Sequence, residues 1–161
     1  MSTQDVRRAF VVAAKEQVEE LNPDLKIAWP NKKFNPPNNE PWVGFHWVPV
    51  DKKAVTLGEG GEDELVGFIQ LDINVPEDSG EELTELFLAS MEAWFVAGRP
   101  VVYDSQAATV TSTSRSGGRT VDPYFRTSLT INFYARIIRP GLSPESDEDF
   151  SDEFNSALDD W

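Results

Sequence analysis

The side chains that could do chemistry are few, and their spacing gives them little to do it with. The 161 residues hold no cysteine and one histidine, His46. A thiolate nucleophile, a disulfide and a cysteine-ligated metal are therefore excluded. His46 stands in Val43-Gly44-Phe45-His46-Trp47-Val48-Pro49-Val50 with no carboxylate or second histidine close in sequence, so it reads as a strand-surface residue rather than a base or ligand. Asp72 and Asn74, two residues apart, would share one face of a strand. Two oxygen side chains do not make a cation site, and a polar sheet face accounts for them. Gly58-Glu59-Gly60-Gly61 has the glycines of a phosphate loop but not the following Lys-Ser/Thr pair. Glu62, Asp63 and Glu64 follow it and would repel a phosphate. The serines have no base nearby in sequence, and the carboxylates gather at helix starts, in loops and near the C-terminus. These residues predict a protein that is not an enzyme and that carries no catalytic residue, cofactor or metal.

Charge narrows the field further. The formal net charge is −14, which argues against direct nucleic-acid recognition. Residues 145–161 carry eight acidic groups and no lysine or arginine, leaving −14 plus 8, or −6, for the other 144 residues. Residues 1–5 lack the apolar run of a signal peptide, and no window is apolar for the length that crosses a bilayer. A soluble, cytoplasmically made chain without a membrane role is expected.

The elements that would position these residues form one domain. Ser2 and Asp5 suit a capping box, and Val6, Ala9, Phe10, Ala13, Ala14, Val18 and Leu21 make an apolar stripe at helical spacing, ended by Asn22-Pro23. Leu25–Trp29 suggests a short strand. Residues 29–42 contain four prolines and four asparagines, which forbid regular structure, yet Trp29, Phe34 and Trp42 are costly to leave in water. The loop is expected either to pack locally or to seat on a neighbouring chain. Residues 51–64 read as a mobile hairpin connection carrying Lys52 and Lys53. In Val66–Val75, Ile69, Leu71, Ile73 and Val75 alternate with Phe68, Gln70, Asp72 and Asn74. Ser79 with Glu82 is a second candidate capping box, opening a helix to about Ala97. Ala107–Thr113, a Gly117-Gly118 turn and Asp122–Ile138 predict a long hairpin, with Leu129, Ile131, Phe133, Ala135 and Ile137 on its dry side. The fold class that follows is α+β: two helices packed on an antiparallel or mixed β-sheet, with an acidic C-terminal extension.

Within residues 140–161, composition and periodicity disagree. Pro140, Gly141, Pro144 and the acidic run predict disorder. Phe150, Phe154, Leu158 and Trp161, spaced four, four and three apart, predict one apolar stripe on a short amphipathic helix that docks on its own domain, an adjacent subunit or another protein.

Phe34-Asn35-Pro36-Pro37 followed by Glu40-Pro41-Trp42-Val43 resembles the N-terminal signature of tail-terminator-like proteins of long-tailed bacteriophages. Gly67-Phe68-Ile69-Gln70-Leu71-Asp72-Ile73 is similar to that family's next strand, and Phe125–Arg136 to its last. The resemblance spans roughly residues 4–138, so residues 1–139 are expected to be the tail-terminator-like domain and 140–161 a separate tail. It implies a structural virion protein: a homo-oligomer, expected to be a hexameric ring, that caps the tail tube, stops its polymerisation and offers the head an attachment surface. The implied partners are the major tail tube protein and the head–tail connector. The implied place is the head-proximal end of the virion tail, after assembly in the host cytoplasm. The alternatives are a connector or tail tube subunit, or a monomeric module binding a peptide or sugar. Phe34, Trp42, Lys52, Lys53, Phe150, Phe154, Leu158 and Trp161 are the candidate protein-interface residues.

Overall fold

Helix α1 (Thr3–Leu21) begins where the sequence places it: Ser2 Oγ accepts from the backbone N–H of Asp5 at 3.3 Å. It ends at Asn22, whose N–H closes on the Val18 carbonyl and whose side chain accepts from Asp24 N–H before the chain turns. The stripe Val6, Ala9, Phe10, Ala13, Ala14 and Val18 is buried. At about 1.5–3 kcal/mol for each large apolar side chain removed from water, that stripe rather than helix propensity holds α1 in place.

The computed structural model describes residues 2–139. Its strands are β1 (Lys26–Ala28), β2 (Trp42–Ala54), β3 (Glu62–Pro76), β4 (Pro100–Tyr103), β5 (Gln106–Arg115), β6 (Arg119–Val121) and β7 (Tyr124–Ile138), with helix α2 (Glu82–Trp94) between β3 and β4. They form one sheet in the order β1-β2-β3-β7-β5-β4, with β6 pairing β7. Among the described residues only the β1–β2 pair is parallel.

The register fixes which side chains share a face. Phe45, Leu71 and Leu129 lie side by side across β2, β3 and β7, as do Trp47, Ile69 and Ile131. These rows face the helices. Phe10 of α1 stacks into them, with ring centroids 4.7 Å from Phe133 and 6.4 Å from both Trp47 and Phe95. The alternate residues of the same strands form the opposite face, which has no helix over it among the described residues.

Three expectations need correction. No acidic extension completes the described fold. Its C-terminal end carries Arg136 and Arg139, basic residues set against the acidic start of β3: Arg136 pairs with Glu62 and Glu64 at 3.6 and 3.3 Å, and Arg139 with Asp63 at 3.0 Å. The acidic run 145–161, its stripe Phe150, Phe154, Leu158 and Trp161, and the predicted tail helix lie outside the described residues. Residues 51–64 are not one loose connection. The β2–β3 ladder runs through Ala54 and Asp63, so only seven residues separate the strands. Ser79 does not cap α2; its hydroxyl donates to the Pro76 carbonyl at 2.6 Å and the N-cap residue is Glu81.

Candidate functional site

The open face of the sheet divides into a polar half and an apolar half. In the polar half, Gly44, Asp72 and Ser128 are paired across β2, β3 and β7, and His46, Gln70 and Thr130 form the next row. Asp72 is 2 % exposed. Its carboxylate accepts from Gln70 Nε2 at 2.9 Å and from the Ser128 hydroxyl, and lies 2.9 Å from His46 Nε2. Gly44 lies directly under this cluster, where a Cβ would rest in ordinary contact with Asp72 and His46 at 3.6 Å.

A serine, a histidine and an aspartate meet here, but in the wrong order for nucleophilic chemistry. An activated serine gives its proton to the imidazole, with the carboxylate behind the ring. Here Ser128 donates to Asp72 instead. The carboxylate ties three strands together, and a buried charge of this kind is tolerable only because each oxygen has a partner. Apart from Gln70, two residues away, the partners of Asp72 are remote in the sequence, 26 residues before it and 56 after it. In the sequence Asp72 shows only as one of the polar residues that alternate with Ile69, Leu71, Ile73 and Val75.

One row further along, Arg126 Nε donates to Asn74 Oδ1 at 2.7 Å, and its guanidinium lies 5.8 Å from the centroid of the Trp42 ring. Trp42 also meets Tyr124 edge-on at 5.9 Å and Phe34 at 5.0 Å. The Tyr124 hydroxyl donates to the Pro37 carbonyl. These contacts fasten the 29–42 loop to the start of β7. Phe34 and Trp42 are brought together, and each stays partly exposed.

In the apolar half, Val50, Val66, Phe68 and Tyr134 line an open groove of about 700 Å³ together with the polar Glu64, Asn132 and Arg136. Val50 is there because the β2–β3 register shifts between Pro49 and Asp51, leaving it without a cross-strand partner. Val50 is 63 % exposed, and Val66 and Tyr134 are 36 and 39 % exposed. Lys52 and Lys53, adjacent in sequence, fall on opposite faces. Lys52 Nζ reaches the Thr3 hydroxyl at the start of α1 at 3.5 Å, and Lys53 is paired with Glu64 beside the groove. They do not form a joint basic patch.

On the helical side, the Arg115 guanidinium is held between Glu85 and Glu92 of α2, and the hydrogen bonds to Glu85 first and Glu92 second raise its pKa above the ordinary arginine value. A shallow cleft of about 420 Å³ lies between the helices, lined by Leu21, Trp94 and Arg99 among others. Among the described residues, no group of three or more potential ligand side chains is placed to hold a metal ion, and no helix is long and apolar enough to cross a membrane. The arrangement offers surfaces rather than reactive groups.

Comparison with known proteins places these surfaces in context. A family model described as "Phage tail terminator protein" matches residues 6–133. Fourteen chains of solved structures match the fold. One of them superimposes with a TM-score of 0.70 at 22 % identity, over 87 % of this chain and 99 % of its own. No curated protein matches the chain.

Proposed function

The chain belongs to the phage tail terminator family, and from that premise we propose that six copies close into a ring on the head-proximal end of the tail tube. Membership makes it a structural, non-catalytic protein of the virion tail that works as part of an oligomeric, tail-associated assembly. The ring, its six-fold order and its two partners are the proposal. The ring's tube side would mate with the last ring of the major tail tube protein. Its other side would present a surface on which a further tube ring cannot add and to which the head–tail connector binds. Termination is then a matter of shape: growth needs each added layer to repeat the surface it covered, and this layer does not repeat it. Assembly in the host cytoplasm goes with this order of events.

The observation that carries the reading is the pairing of the family match with a sheet whose second face is left open in its apolar half. A lone domain of this size seldom leaves a contiguous apolar groove such as Val50, Val66, Phe68 and Tyr134 in water, and such a surface marks a site of association. Phe34, Trp42, Lys52 and Lys53 are proposed to contribute to contacts between copies or with the tube. Phe150, Phe154, Leu158 and Trp161 are assigned to contacts with a neighbouring copy or the head-side partner on their spacing in the sequence alone.

The test is the mass of the full chain in solution across a range of concentrations. A species near six times the 18.0 kDa of one chain is expected. An 18.0 kDa species at every concentration, which also leaves purified tail tubes bare, overturns the ring reading.

A further inference from the structure

Between β2 and β3 the chain turns through Val55–Gly61, and this tip combines two properties that seldom occur together. It is thoroughly fastened, and it holds an apolar side chain out in water. The N–H groups of Val55 and Thr56 both donate to the Glu62 carbonyl at 2.8 and 3.2 Å, and the Glu62 N–H donates to the Thr56 hydroxyl at 2.7 Å. Arg139, arriving from the end of β7, completes the frame. Its backbone N–H donates to the Gly61 carbonyl at 2.8 Å. Its guanidinium donates to the Gly58 carbonyl at 2.9 Å, to the Thr56 carbonyl, and to Asp63 at 3.0 Å. The two carbonyls gripped by this one guanidinium flank Leu57. Leu57 itself is 90 % exposed, the most exposed of the large apolar side chains described.

A loop that merely connects strands needs neither the frame nor the leucine. A loop that inserts into a partner benefits from both, because an apolar anchor presented by an already ordered backbone loses little conformational freedom on docking. We propose that Leu57 is the anchor of the contact between subunits, entering the open-face groove of the next copy between Val50, Val66, Phe68 and Tyr134. This rests on the ring reading given above and names the contact that closes the ring.

The choice of a second copy as the partner follows from three features. The chain works in an oligomer, so a copy is always available. The groove is apolar, lies on the same chain as the anchor, and at about 700 Å³ has room for a leucine and its flanking backbone. The rim carries both signs: Glu64 and Arg136 line the groove with Lys53 and Glu62 close by, and Arg136 meets Glu62 and Glu64 at 3.6 and 3.3 Å. Glu59, two residues beyond Leu57, would share Arg136 across the contact. The tip cannot reach its own groove. Val66 is paired with Asp51, six residues before Leu57, which sets the two about 15 Å or more apart along the hairpin. An anchor and a socket at different places on one chain make a head-to-tail contact, the kind that closes into rings.

The absence of cysteine makes the test clean. The full-length double variant Leu57→Cys/Val66→Cys, mildly oxidised, should give a ladder of disulfide-linked multiples on a non-reducing gel. Each single variant should give none, since both cysteines of a bridge must come within about 7 Å between Cα atoms. Separately, Leu57→Asp should weaken association more than about tenfold with an unchanged circular dichroism spectrum, because Leu57 touches little within its own chain. Wild-type rings together with an Asp variant that forms the same rings, and no ladder, overturn the anchor and leave the ring reading standing. A wild-type chain that neither associates nor binds tubes overturns the ring reading and the anchor with it.

Discussion

Trp42 and Phe34 pose the sharpest question about the 29–42 loop: whether its aromatics are spent within the chain or kept for a neighbour. Trp42→Ala removes the contact with Phe34 at 5.0 Å, the edge-on contact with Tyr124 at 5.9 Å and the ring under Arg126 at 5.8 Å. Aromatic pairs contribute about 0.5–1.5 kcal/mol each beyond their burial, and an exposed cation–π contact about 0.5–1 kcal/mol. Adding the burial of a partly covered indole gives a loss of about 2–4 kcal/mol, somewhat below that of a fully buried aromatic. Phe34→Ala should cost less, because among the described residues its ring contact is with Trp42 alone and it is itself partly exposed. The assay is urea unfolding of the wild type, both single variants and the double variant, followed by tryptophan-independent circular dichroism. The double-mutant cycle should return a coupling of about 0.5–1.5 kcal/mol between the two rings. Two single variants that unfold like the wild type, with no coupling, would show that the loop's aromatics do not hold the domain together and would refute the packing argument.

Other outcomes follow from the same geometry. Phe10→Ala, which empties a fully buried position between Phe133, Phe95 and Trp47, should destabilise the domain by about 3–5 kcal/mol in the same unfolding assay. Asp72→Ala leaves Gln70, Ser128 and His46 facing an empty space and should cost about 2–4 kcal/mol. Asp72→Asn keeps an acceptor for Ser128 and Gln70, so it should cost clearly less; equal losses for the two would mean the hydrogen bonds are not what matters there. Gly61→Ala would set a Cβ 2.0 Å from the Arg139 guanidinium and 2.8 Å from the Thr56 carbonyl, so it should loosen the hairpin tip. Hydrogen exchange at Val55, Thr56 and Glu62 should then speed up while β3 and β7 amides stay protected. Deleting residues 145–161 should lower the number of copies that associate or the head-joining activity if Phe150, Phe154, Leu158 and Trp161 make contacts in the assembly; unchanged copy number and activity would remove that assignment.

The parts of the fold that could be read from the sequence are those whose burial is periodic. Ile69, Leu71 and Ile73 in β3, the alternating Leu129–Ile137 in β7 and the stripe of α1 each face one dry layer, so their spacing carries the element type. The ends of β2 and β3 were harder, because there the ladder runs past the helices. Lys52, Lys53, Glu62 and Glu64 keep the backbone hydrogen bonds of a strand without its apolar alternation. The candidate site was less legible still. Asp72 looks like one more polar residue on a wet face until Ser128 and His46 arrive from distant strands. The brace on the hairpin tip depends on Arg139, 81 residues from the Gly58 carbonyl it holds. Lys52 and Lys53 mislead for the opposite reason: neighbours in sequence on a strand point to opposite faces. The family resemblance supplied the functional class, and it was carried by packing motifs such as Phe34-Asn35-Pro36-Pro37 rather than by reactive groups.

The most direct measurement of the account as a whole is negative-stain electron microscopy of the full chain mixed with polymerising major tail tube protein. The account predicts isolated single-layer rings of this chain alone, and in the mixture tubes that carry one such ring at a single end and grow no further from it. Long tubes built from this chain by itself, or tube growth that continues unchanged in its presence, would contradict it.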